Sequence, residues 1–240
     1  MIDIHCHILP DIDDGPDNWN TSIEIAKKAL SENIKNIVAT PHWIKGTNWE
    51  TDSKEVIDKT NTLNELLDRE NIKLKVFPGM EAAITDGIVD HIRNGEVLTL
   101  AGTNCLLLDM PYGSLPYGIN IIFKELVSNN IFPIIAHPER NTDFQSNPNI
   151  IKKFIDIGAM VQVTSSSFIG NFGNEAKNCA LDFSKMNVID FIATDAHSLH
   201  KRPPLIKEAL QIWKKYSKGN IEKLIEESYK KLGIDRMVNI

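Results

Sequence analysis

Seven short apolar runs recur along the chain, and stretches with helical spacing of apolar residues separate them. The runs are IDIHCHI, KNIVATPH, KLKVFPGMEA, CLLLDMP, FPIIAHPER, MVQVTSS and VIDFIATDAH; the helical stretches include TSIEIAKKALSENI, TDSKEVIDKTNTLNELLDRE, IIFKELVSNN, IIKKFIDIG, NEAKNCALDFSK and LIKEALQIWKKY. A last helix, NIEKLIEESYKKLG, closes at Gly233. Strand and helix in alternation imply a parallel sheet with helices outside it. Continuous apolar strands imply that both sheet faces are covered. With 240 residues, 42% of them hydrophobic, and no low-complexity linker, the expectation is one α/β domain over 1–240, closed into a barrel.

Composition removes several classes of function. A net charge of −6 argues against nucleic-acid and membrane-surface partners, which require a basic face. No segment approaches the roughly 18 apolar residues of a membrane helix. Asp3 stands almost at the start and no basic-then-apolar leader follows, so no signal peptide is expected. Cys6, Cys105 and Cys179 are scattered and odd in number, which fits a reducing, cytoplasmic location rather than a disulfide framework. Cysteine phosphatases place Arg six positions after the nucleophile; here those positions hold Ile12, Pro111 and Lys185.

In a parallel barrel the loops after the strand ends build the active site. Read that way, the first run supplies His5, His7 and, just beyond, Asp14; the next ones supply His42, Glu81 and Asp109. FPIIAHPER supplies His137, Glu139 and Arg140, and the closing run supplies Asp195 and His197. Five of the seven histidines therefore lie at strand ends. His5 and His7, two apart on a strand, point the same way and can bind one cation. Imidazoles and carboxylates without thiolate suit manganese, iron or zinc. So many carboxylates together need cations to suppress their mutual repulsion.

Other polar residues receive blander readings. His91, in a helical stretch, is read as solvated, and His200, near Lys201 and Arg202, either as reaching a phosphate or as loop surface. Asp11 and Asp13 are read as shaping the turn before Gly15, Asp3 and Asp190 as structural, and Cys6 as facing away from the histidines. WIKGTNWETDS is read as a loop with Trp43 and Trp49 exposed near the site.

HxH on the first strand, the later His, Glu and His, and a final DxH resemble the PHP superfamily. IDIHCHILPDIDDGP, TPH, GME, AHPER and ATDAHSLHKRPP more narrowly resemble its manganese-dependent tyrosine-protein phosphatase branch, the CpsB/YwqE type, from residue 2 to about residue 204. The resemblance implies a distorted (β/α)7 barrel holding three Mn2+ ions, with Fe or Zn as alternatives. One metal would take His5, His7, Glu81 and Asp195; a second Glu81, Asp109 and His137; a third Asp14, His42 and His197. The branch often carries Glu where this chain has Asp109. Arg140 matches the active-site arginine and Arg202 a second basic position at the substrate.

The implied chemistry is phosphomonoester hydrolysis, in which cations lower the pKa of bound water from about 15.7 towards about 7. Arg140 would clamp the phosphoryl oxygens, and Asp14 or His197 would protonate the leaving oxygen. The implied partner is the phosphotyrosine tail of a bacterial tyrosine kinase in capsule or exopolysaccharide synthesis. Three alternatives stay open at this stage: a small phosphate ester such as histidinol phosphate, a nuclease or phosphodiesterase, and a metal-loaded regulatory scaffold without turnover.

Overall fold

A computed structural model describes residues 1–234. Its strands are β1 (Ile2–Cys6), β2 (Asn36–Ala39), β3 (His42–Trp43), β4 (Lys75–Pro78), β5 (Glu81–Ala83), β6 (Cys105–Asp109), β7 (Phe132–Ala136), β8 (Met160–Thr164) and β9 (Phe191–Ala193). The helices are α1 (Trp19–Ser31), α2 (Ser53–Arg69), α3 (Ile88–Arg93), α4 (Ile119–Ser128), α5 (Thr142–Ser146), α6 (Ile151–Ile155), α7 (Ser165–Phe168), α8 (Gly173–Met186), α9 (Lys207–Tyr216) and α10 (Ile221–Leu232). Side-chain caps start several of them: Asn18 accepts from Thr21 N, Asp52 from Lys54 N and Asn220 from Glu222 N. No described helix is long and apolar enough to cross a membrane.

All ladder pairs are parallel, as the alternation requires, but they form two sheets, β1-β2-β4 and β3-β5-β6-β7-β8-β9. Among the described residues the ladders thus run through two sheets rather than one continuous ring. Two of the expected runs break in the middle, KNIVATPH at Thr40–Pro41 and KLKVFPGMEA at Gly79–Met80. Pro41 has no N–H to continue a ladder. The β2–β4 pairing therefore stops at Ala39 and Pro78, and a new one starts at His42 and Glu81, with Glu81 N donating to Pro41 O at 3.1 Å. Gly79 lets the two broken strands cross closely. A Cβ there would lie 2.8 Å from Val38 Cγ1 and 3.1 Å from Leu100 Cδ2.

The first and last strands meet outside either ladder. Asp195 N donates to His5 O at 2.7 Å and His7 N to Ala196 O at 2.8 Å. Asp3, fully buried, accepts from Thr194 N, the Thr194 hydroxyl and His5 N, the structural part expected of it. Burial raises its carboxyl to about 6 against these donors. MVQVTSS ends as a strand at Thr164, and its serines open α7.

A register shift in β1 between Asp3 and Cys6 aims the metal-binding candidates. Simple alternation would put His5 opposite Ile4. With the extra residue, Ile2 and Ile4 join an inner cluster with Val38, Leu107, Ile134 and Phe191, while Cys6 packs outward among the helices. Bulges re-aim side chains in this way near sites. Tyr229 and Leu232 of α10 close the inner cluster from the opposite end. Replacing Gly79 by Ala should cost about 1–3 kcal/mol through overpacking. Urea unfolding of Gly79→Ala against the parent checks this, and equal midpoints would refute the close-crossing account.

Candidate metal centre

The two breaks and the bulge bring all nine expected ligands to one place. Donor atoms within 4.8 Å of one another form four overlapping groups: His7, Asp14, His42 and His197; His5, His7 and Glu81; His5, His137 and Asp195; His42, Glu81 and Asp109. The partition differs from the one carried by the resemblance: His137 and Asp195 group with His5. His7 joins the Asp14 group, and Asp109 groups with His42, its oxygen lying 3.8 Å from His137 Nε2. His137 and Asp195 both hold left-handed backbone, φ 33° and 53°, a conformation costing about 1–3 kcal/mol for a residue with a side chain.

The tautomers follow from the outer partners. His5 Nδ1 donates to Gln162 Oε1 at 2.9 Å, and His7 Nδ1 to Asp13 Oδ2 at 2.6 Å. Each imidazole then turns Nε2 inward, and the two nitrogens stand 3.2 Å apart. Glu81 Oε2 lies 3.3 Å from both, and Asp195 Oδ1 lies 3.4 and 3.5 Å away. Glu81 Oε2, Asp195 Oδ1 and Asp109 Oδ1 are buried without a hydrogen-bond partner among the described residues. Lone pairs converging on one point need positive charge between them, so the donor set fits divalent cations.

Where no cation is held, protons and arginines fill that need. Burial alone would lower His5, but the Glu81 and Asp195 carboxylates outweigh it and push it up to about 9. Against the same burial penalty, Asp14 and Glu81 bring His42 up to about 11. Burial and the nearby Glu81 raise Asp109 to about 7. Burial and Arg140 lower His137 to about 4; burial and His7 do the same to His197. Asp14 is held well below the carboxylate range, because His197 and His42 overcome its partial burial.

Arg140 is buried, donates to Thr164 Oγ1 at 3.0 Å and pairs with Asp195 Oδ2. Arg202 Nη2 approaches the same oxygen at 2.5 Å, and its Nη1 donates to His197 Nε2 at 2.9 Å. The Phe172 ring lies 3.6 Å from the Arg140 guanidinium carbon and 5.8 Å from that of Arg202. Both Nε atoms are buried without a partner among the described residues. Beside them opens a cavity of about 270 Å³ lined by Tyr112, Arg140, Gln145, Phe172 and Arg202.

Several residues depart from their sequence readings. Asp13 does more than shape a turn: besides His7 it accepts from His42 N at 3.1 Å, so one carboxylate sets two ligands. Gly15 permits this, since a Cβ there would lie 2.5 Å from His7 O. Trp43 is buried against expectation, and only Trp49 is exposed, stacking on His42 with centroids 4.9 Å apart. His91 is tied to Lys45 Nζ at 2.9 Å and to Glu96 rather than simply solvated. His200 is exposed, which agrees with the loop-surface reading of it. Glu139, at a strand end, points away from the cluster and accepts from Thr164 N and Ser167 Oγ. Reasoning from the sequence missed Gln162, Tyr112 and Phe172; Gln162, a lone amide inside the apolar run MVQVT, carried a signal.

The profile of the family described as "Capsular polysaccharide synthesis, CpsB/CapC" matches residues 1–232. The chain belongs to the CpsB/CapC family. Among CpsB/CapC relatives, CapC of Staphylococcus aureus is 40% identical over 208 residues, 87% of this chain and 81% of its own length. YwqE of Bacillus subtilis, a tyrosine-protein phosphatase, is 35% identical over 95% of this chain and 89% of its own. A crystal structure from work on YwqE and Streptococcus pneumoniae CpsB, described as metal-dependent tyrosine phosphatases, superposes with a TM-score of 0.91. It is 34% identical and covers 97% of this chain and 94% of its own. HisK of Listeria monocytogenes, 11% identical with a TM-score of 0.51 over 84% of this chain and 97% of its own, shares the fold alone.

Two outcomes test this CpsB/CapC centre. Asp13→Ala frees the His7 ring and should weaken divalent-metal affinity about 10–100-fold, read by calorimetric titration. Because His5 and His42 hold protons at neutral pH, a cation taking up either ring must displace its proton. Manganese affinity should therefore rise as pH climbs towards about 9. Titration at pH 7 should release protons to the buffer, and a pH-independent affinity would contradict the assignment.

Proposed function

We propose that this chain is a metal-dependent phosphomonoesterase that removes phosphate from phosphotyrosine on proteins. The observation carrying this reading is the pairing of two opposed charge sets. Buried carboxylate oxygens without a hydrogen-bond partner converge on one side, and the Arg140 and Arg202 side chains line a cavity on the other. The first suits cations and the second suits an anion; a phosphoryl group needs both. The mouth is open, with the Asp14 side chain 44% exposed and Tyr112 56% exposed, which favours a phosphate carried on a protein over a small enclosed ester.

His5, His7, Asp14, His42, Glu81, Asp109, His137, Asp195 and His197 would hold the cations, three Mn2+ on the branch's pattern. Such cations supply Lewis-acid charge and lower the pKa of water. Arg140, fixed by Thr164 and stacked on Phe172, orients the phosphoryl oxygens, and Arg202 adds a second charge. His197 Nδ1 faces the Asp195 carbonyl at 3.0 Å, so it donates there and leaves Nε2 a lone pair. Asp14 is ionised. Both act as electron-pair donors here rather than as acids. A tyrosine oxygen, with a pKa of about 10, departs with little protonation.

The strands, joined end to end through His5 and Ala196, are read as a distorted (β/α)7 barrel in a single domain over 1–240; residues 235–240 lie outside the described residues. The substrate is read as the phosphotyrosine tail of a bacterial tyrosine kinase controlling capsule or exopolysaccharide synthesis, and the location as cytoplasmic. Support comes from the CpsB/CapC membership and the named relatives.

Manganese-loaded protein should release phosphate from a phosphotyrosine peptide, and chelation should abolish it. No release with manganese, iron or zinc would overturn the reading. Arg140→Lys should lower kcat by about tenfold or more with metal content unchanged, since an ammonium cannot form the bidentate contact; equal turnover would remove the clamp.

A further inference from the structure

One exposed aromatic at the mouth is held too firmly to be ordinary surface. Tyr112 lies in the segment between β6 and α4, and its ring stacks on His137 with centroids 6.0 Å apart and planes 19° from parallel. Three consecutive carbonyls of that segment are occupied by one neighbouring stretch. Asn141 Nδ2 donates to Pro111 O and to Gly113 O, both at 2.6 Å, and Thr142 N donates to Tyr112 O at 3.0 Å. Asp143 Oδ2 accepts from Leu115 N at 2.8 Å and fixes the next turn. Asn141 is itself 2% exposed and caps α5 through Oδ1, which accepts from Asp143 N and Phe144 N. It directly follows Arg140, so one short stretch sets both the guanidinium and the aromatic wall of the cavity.

Resting on the phosphatase reading above, we propose that Tyr112 is a preset aromatic wall that selects phosphate esters with an aryl leaving group, and that Asn141 is the residue positioning it. Phosphate held by Arg140 and Arg202 leaves its ester substituent facing the open side of the cavity. Tyr112, half-exposed, lines that side, where its ring can meet a second ring. An offset or edge-on ring pair of this kind adds roughly two- to tenfold in affinity beyond simple burial. An alkyl substituent lacks that gain. Because the backbone around Tyr112 is already pinned, little ordering opposes the contact.

Unreactive ligands measure the selection without turnover. Dissociation constants of phenylphosphonate and methylphosphonate for the manganese-loaded protein give an aryl-to-alkyl preference. Tyr112→Ala should reduce that preference about two- to tenfold, whereas Tyr112→Phe should keep it. Asn141→Asp retains the cap acceptor and replaces the two donors to Pro111 and Gly113 by a charged oxygen that their carbonyls repel. It should reduce the preference as well, with Tyr112 intact. Any effect of its added charge on the phosphonate group acts on both ligands and cancels in the ratio. An unchanged preference in Tyr112→Ala overturns the proposal, and an unchanged one in Asn141→Asp overturns the part given to Asn141. Phosphotyrosine hydrolysis by the parent, measured alongside, separates the outcomes. Hydrolysis with an unaltered preference sinks the wall alone, while absent hydrolysis sinks the phosphatase reading.

Discussion

Glu81 is fully buried and has four imidazoles around it: His137 at 2.7 Å, His42 at 2.9 Å, His5 and His7 at 3.3 Å. A carboxylate in that position is tolerable only with positive charge beside it. The rest of the site follows from this demand. His5 and Arg140 hold Asp195 low, and His5 and His137 hold Glu81 low, despite burial. The outer hydrogen bonds from Gln162 and Asp13 then keep the ring nitrogens facing inward, which makes cations the natural occupant of the space between them.

Several of the scaffold's irregularities fall at this centre. The bulge in β1 puts His5 on the inner side beside Ile4, and the break at Pro41 restarts pairing at His42 and Glu81. Left-handed backbone appears at His137 and Asp195. Each of these departures sits at or next to a candidate ligand, where local strain is most often retained.

Much of this was readable in the sequence because strand ends in parallel α/β folds carry polar residues for one purpose. His5, Glu81, His137 and Asp195 stand out as charged or imidazole groups after apolar runs. What was not readable depends on register and on loop paths. Alternation in IDIHCHI does not disclose the bulge, and the two-sheet split came from Pro41 and Gly79, whose effect requires knowing which strands cross. Nothing in DIDDGP tells Asp13 from Asp14; only the close approach of Gly15 to the His7 carbonyl sends one to a ring nitrogen and the other to the rim. Tyr112 follows Asp109 by three residues, but the Asn141 stretch that pins it and the Phe172 ring are remote in sequence from it, so only tertiary folding brings these groups to the arginines.

Exposure is graded across the donor set. The side chains of His5, His7, Glu81 and Asp195 are sealed at 0–1%, while Asp109 is 19% and Asp14 44% accessible. An ion arriving from water meets the acids at the threshold before it can reach the inner nitrogens. On the proposed ligand set, a cation at the threshold acids would therefore exchange with the medium more readily than one at the innermost nitrogens.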